Sequence, residues 1–150
     1  MRMRSRVTDD EQSGPPIDIM LELSKQAFSL LPLGGGPDGK KPLTSFSTKK
    51  HLTLNQVLGP MNSRGSRCYG IRLDGLVVLD CDVDDDSLLA DLEARFGPAV
   101  CHVKTPRGRH LYYLAPQGLR LPQLRAEGLA VDVKSGINSY VMGPGSVRPD

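Results

Sequence analysis

With 150 residues, 24% of them charged and 39% hydrophobic, the chain has the composition of an ordinary globular protein of one domain. That length buries roughly 70% of the unfolded surface, enough for a real core. A net charge of +2 neither requires nor excludes a nucleic-acid partner. No apolar run approaches the roughly 18–20 residues of a membrane span, so no membrane partner is expected. The basic start MRMRSR is followed by Thr8-Asp9-Asp10-Glu11 instead of an apolar segment, which argues against a secretory signal and for the cytoplasm. Three cysteines, Cys68, Cys81 and Cys101, are odd in number and widely spaced. They lack zinc-ligand spacing and read as reduced, partly buried thiols.

Residues 1–16 are polar and charged and end in Gly14-Pro15-Pro16, the pattern of an unstructured lead-in. The folded domain is expected over residues 17–150. Apolar residues from Ile17 to Leu31 fall mainly at helical spacing, and Pro32 is expected to end that helix. The loop that follows, Gly34-Gly-Gly-Pro-Asp-Gly-Lys-Lys41, nearly spells a phosphate-binding P-loop. The match fails because Lys41 stands where a Mg2+-binding Ser or Thr belongs, Pro42 follows it, and no clear strand precedes it. Residues 43–67 are polar and irregular, with a short helix near Thr53–Leu58. Cys68–Leu73 and Leu76–Asp82 read as a β-hairpin around Asp74-Gly75. Asp86 is placed to cap a helix over Ser87–Phe96, which Gly97-Pro98 stops. Strands are expected at Val100–Lys104, Arg109–Leu114, Ala130–Lys134 and Ser139–Met142. The sum is an α/β (α+β) chain with several short, mainly antiparallel strands.

The stretch Leu76-Val-Val-Leu-Asp-Cys-Asp-Val-Asp-Asp-Asp86 holds five aspartates in seven positions, directly after an apolar run. Strand alternation puts Asp80 and Asp82 on one face and Leu79, Cys81 and Val83 on the other. Two carboxylates about 4 Å apart repel by ~4 kcal/mol at an effective dielectric of 20, so a raised pKa, a basic neighbour or a divalent cation must offset the repulsion. Solvated carboxylates capping the next turn are an equal alternative for this pair. Asp84, Asp85 and Asp86 lie beyond the strand, where turns and helix N-termini favour Asp, and read as structural. Asp132 sits between Val131 and Val133 on the face opposite them, together with Lys134. If it lies beside Asp80 and Asp82, three hard oxygen donors converge as a Mg2+ or Mn2+ site requires.

A basic element lies between these carboxylates in sequence. Lys104-Thr-Pro-Arg-Gly-Arg-His110 combines a turn signal with Lys104, Arg107, Arg109 and His110. Such a patch suits a triphosphate or a nucleic-acid backbone, although a solvated basic turn and a structural histidine are the commoner outcomes.

Three segments in this order, LVVLDCDVD, TPRGRHLYY and VDVKSGINSYVMGPGS, resemble the three motifs of the bifunctional primase/polymerase N-terminal domain (Prim-Pol) of the archaeo-eukaryotic primase superfamily. The upstream FSLLPLGGGPDGKKPL is similar to the opening of that family, and the likeness runs from about Ile17 to Asp150. It implies an RRM-like catalytic core with a mixed or antiparallel sheet and packed helices. It implies that Asp80, Asp82 and Asp132 coordinate two divalent metals, Mg2+ or Mn2+. His110 would contact the triphosphate of the incoming NTP or dNTP. Arg107, Arg109 and Lys40 are further phosphate partners on chemical grounds. The implied reaction is nucleotidyl transfer to a 3′-hydroxyl on a DNA template and primer, or to an initiating nucleotide, in phage or plasmid replication.

Two departures from the pattern bear on this reading. The common Pro-Pro-Ser ending is Gly143-Pro-Gly-Ser146 here. Family members usually continue with another strand past the point where Asp150 ends this chain, so a truncated or split enzyme, or a fragment that works with a partner, is expected. Without a Walker motif, a replicative helicase would be supplied separately. Two other classes stay open: a nucleotide- or single-strand-binding module without catalysis, and another metal-dependent nuclease or transferase. Against stacking-based RNA readout, the chain holds four Tyr, three Phe and no Trp.

Overall fold

The computed structural model describes residues 2–4, 14–46 and 50–150, with the backbone alone for Arg2–Arg4. The described elements run β1 (Arg2–Arg4), α1 (Ile17–Lys25), β2 (Ser29–Gly35), β3 (Lys41–Pro42), α2 (Leu54–Arg64), β4 (Tyr69–Cys81), α3 (Asp86–Phe96), β5 (Cys101–Lys104), β6 (Arg109–Leu114) and β7 (Val131–Met142). The fold is the expected α+β class with packed helices. One sheet has the strand order β1-β5-β6-β4-β2-β3, and β7 pairs with β4. It is mixed, because β1 runs parallel to β5 while the other pairs are antiparallel. The lead-in expected to lack structure thus contributes β1; residues 5–13 lie outside the described residues.

Three expectations need correction. First, the N-terminal helix ends at Lys25, not at Pro32. Ala27 takes a left-handed backbone (φ 65°), and Ser29–Leu33 continue as a strand buried at every position. A fully buried strand is a continuous apolar run without its own period, so Leu30 and Leu31 were legible as more helix. A strand therefore does precede the glycine loop. The element after the loop is β3, not a helix, so the loop lacks the helix N-terminus a P-loop needs.

Second, Asp74-Gly75 does not close a hairpin. β4 runs straight through it as one strand, with Gly75 at φ 68° and register shifts against β7 between Arg72 and Val77. A dipeptide that favours positive φ serves a bulge as well as a tight turn. The consequence is a change of face. Tyr69, Ile71 and Leu73 pack in the cluster that holds Met20 and Leu23 of α1 and Val57 and Met61 of α2. After the bulge Val78 joins that cluster, while Val77, Leu79 and Cys81 pack with Leu89 and Leu92 of α3 on the other side. Extra residues inverted the alternation, and Asp80 is carried on the α1/α2 side of the sheet.

Third, the two C-terminal strands are one, Val131–Met142, bent near Gly136 (φ 100°). The middle helix is also longer than Thr53–Leu58. Thr53 and Gln56 form a reciprocal capping box, and Gly65 ends the helix in the left-handed region. In α3 the cap is Asp85, whose carboxylate accepts from the Ser87 and Leu88 amides, and Asp86 lies in the first turn. All three cysteines are free and buried. Among the described residues no helix is long and apolar enough to cross a membrane.

Candidate active site

The site lies where the end of β4 is flanked by β6 and β7. Asp80 stands directly opposite His110 on β6 and opposite Asp132 on β7. Residues paired across antiparallel strands share a face, so these three side chains emerge together. They continue the stripe of Val78, Tyr112 and Val103, which is sealed by the α1/α2 core. On the reverse face Leu79, Leu111 and Val131 anchor the same strands against α3. The hydrophobic register of both faces therefore determines where the carboxylates project.

Each acid has a cationic partner. Asp80 Oδ1 is 3.3 Å from His110 Nε2, and Lys134 Nζ donates to Asp80 Oδ2 at 3.1 Å. Burial works to raise the Asp80 carboxyl, but the His110 hydrogen bond and charge, with Lys134, outweigh it and hold the group at about 2. His110 is buried, and its Nδ1 makes no hydrogen bond among the described residues. Asp82 and Asp132 share one guanidinium. Arg125 donates from Nη2 to Asp82 Oδ2, from Nε to Asp132 Oδ1 at 2.8 Å, and from Nη2 to Asp132 Oδ2 at 3.1 Å. Those hydrogen bonds hold Asp132 below the usual carboxylate range.

Arg125 has no signature in the sequence. It lies in the turn-rich connection between β6 and β7, six residues before β7 begins, where no periodicity or motif marks it. Lys134 shares a face with Asp132 by strand alternation, and in the fold its ammonium reaches across to Asp80.

The other basic candidates are distributed differently. Arg109 follows strand alternation to the face opposite His110, where its Nε lies 3.2 Å from Asp84 Oδ1 and Lys104 Nζ lies 3.8 Å from Asp84 Oδ2. Arg107 is exposed in the turn after β5. Lys40 is at the far end of β4: its carbonyl accepts from Tyr140 Oη at 2.8 Å, and Gly39 beside it packs on Cys68 and Pro149. The fold thus brings Asp80, Asp82, Asp132 and His110 together and leaves Lys40 apart from them. Asp84, Asp85 and Asp86 serve an ion pair, a cap and a first turn, as structural residues do.

The turn that carries Arg107 is pressed against the aspartate strand. Thr105 N donates to Gly108 O at 3.0 Å, and Gly108 N donates to Thr105 Oγ1 at 2.9 Å. A Cβ at Gly108 would lie 2.0 Å from the Cys81 carbonyl oxygen and 2.8 Å from the Val83 nitrogen. Only glycine permits that approach, and it positions the backbone on either side of Asp82.

The donor set suits a hard divalent cation in kind: three carboxylates at one strand end, two of them already sharing a positive charge. In the side-chain arrangement seen, however, no group of three His, Cys, Asp or Glu among the described residues is disposed to hold a metal ion. Asp80 is turned to His110 and Lys134, and the Arg125 guanidinium stands in for a cation between Asp82 and Asp132.

No curated protein matches the chain. Residues 20–150 match the family of the bifunctional DNA primase/polymerase, N-terminal, domain. The match takes in nearly all of the described domain, and the chain belongs to this family.

Proposed function

We propose that this member of the primase/polymerase family transfers nucleotidyl groups from NTP or dNTP to a primer 3′-hydroxyl or an initiating nucleotide on a DNA template. The observation that carries the reading is the register of β4 between β6 and β7, with Asp80 opposite both His110 and Asp132. Asp80, Asp82 and Asp132 are the residues that would hold divalent cations, Mg2+ or Mn2+. When bound, such ions supply Lewis acidity that favours the attacking 3′-alkoxide and the leaving pyrophosphate. Asp80 is ionised at any working pH, since its carboxyl is held at about 2. His110 orients Asp80 through Nε2, and on the family resemblance its imidazole would contact the triphosphate. Lys134, paired with Asp80, and Arg107, exposed in the turn that packs against the end of β4, are the cations that would offset the triphosphate. Phage or plasmid replication, a separately supplied helicase and a cytoplasmic location complete the proposal, on the resemblance alone.

The test is primer extension and de novo synthesis with Mn2+ or Mg2+, comparing wild type with Asp80→Ala/Asp82→Ala. Metal-dependent products that vanish in the folded double variant are expected. Undiminished synthesis in that variant would overturn the assignment. The bridging of Asp82 and Asp132 by Arg125 favours a second reading, a nucleotide- or single-strand-binding module without catalysis. Wild-type protein that binds dNTP yet never extends a primer would decide for it.

A further inference from the structure

We propose that Arg125 is a counter-ion latch: its guanidinium neutralises Asp82 and Asp132 and competes with a divalent cation for their carboxylates. The inference rests on the metal-site reading above. Three oxygens of the two carboxylates, Asp82 Oδ2 and both of Asp132, already accept from Arg125. A Mg2+ ion would need oxygens of the same two carboxylates at about 2.0–2.1 Å. A divalent ion on those carboxylates would stand close to the guanidinium, so charge repulsion sets metal entry and the Arg125 ion pairs in competition.

The displacement requires only side-chain rotation. Arg125, Asp82 and Asp132 side chains are all close to half exposed, so the freed guanidinium is rehydrated where it stands. Its backbone is anchored independently. Leu124 is fully buried in the α3 core, the Glu127 and Leu129 amides donate to the Leu124 carbonyl, and the Gly128 amide donates to the Arg125 carbonyl. Lys134 and His110 are committed to Asp80 and take no part in holding Asp82. The planar fork of Arg is needed to reach both acids at once; the point charge of Lys pairs with one at a time.

The experiment is a Mn2+ titration of the full chain without nucleotide, following free Mn2+ by electron paramagnetic resonance. Wild type is compared with Arg125→Ala, Arg125→Gln and, as a site control, Asp82→Asn, with circular dichroism to establish folding. Exposed ion pairs are each worth up to a few-fold in an equilibrium constant, so loss of both tightens Mn2+ binding about fivefold to tenfold. Binding by the Arg125 variants but not by wild type would be the same result in stronger form. Equal or weaker binding in both Arg125 variants, with wild-type binding that Asp82→Asn abolishes, overturns the latch and leaves the metal site standing. Absence of binding in every protein overturns both readings.

Discussion

Replacing Gly108 with Ala tests the packing that places Asp82. The added Cβ would lie 2.0 Å from the Cys81 oxygen, 2.8 Å from the Val83 nitrogen and 2.9 Å from the Cys81 carbonyl carbon. The first of these is a full ångström inside the 3.0 Å that Cβ atoms essentially always keep. All three neighbours are backbone, so no rotamer change relieves the clash. Either the end of β4 or the Thr105–Gly108 turn has to move. Overpacking of this kind costs ~1–3 kcal/mol, and opening the turn's two hydrogen bonds adds about 1 kcal/mol each. The expected loss is thus about 3–5 kcal/mol, a large share of the ~5–15 kcal/mol typical of a domain. In urea, with m of about 2 kcal/mol/M, the unfolding midpoint falls by roughly 1.5–2.5 M. Because Asp82 lies between the two displaced peptide groups, primer extension should fall as well, at a temperature where the variant remains folded. A midpoint shift worth less than about 1 kcal/mol together with unchanged synthesis would refute the close approach of the turn to β4.

Further outcomes follow from the same geometry. Asp85→Ala removes the α3 cap and costs about 1 kcal/mol in urea unfolding while most synthesis is retained; a folded but inactive variant would show that the acidic run is not divided as described. His110→Ala raises the apparent KM for dNTP about tenfold, the scale of a charge-assisted hydrogen bond, and an unchanged KM would make His110 purely structural. Stability should fall as pH rises from about 9 to 11 under reducing conditions. Burial pushes the Cys68 and Cys81 thiols from 9.0 up to about 11. In that interval the unfolded chain has released thiol protons that the native chain retains, so the unfolded state binds fewer protons and gains on the native one. Urea midpoints at pH 8 and pH 10.5 read the effect, and a flat profile would contradict it.

Elements whose local signals agree with their environment are legible in the amino-acid order alone. β6 spans Arg109–Leu114 as the alternation predicts, and α3 lies within one residue of its predicted start, because its cap, apolar stripe and Gly-Pro stop coincide. The opposite faces of Val131 and Asp132 follow from the two-residue period, and the order of three motifs was enough to indicate the family. Tertiary structure decided the rest. Leu30 and Leu31 have no periodicity that separates a buried strand from a helix; pairing with Ile71 and Gly70 makes them strand. Asp74-Gly75 is a turn or a bulge according to what its flanks pair with, and the choice inverts the faces of β4. Arg125 carries no local signal, because what singles it out is a pair of carboxylates, one just past the end of β4 and one on β7. Periodicity reports on which side of its own element a residue lies. Which distant charge it meets is decided by strand register and by where a connecting segment is anchored.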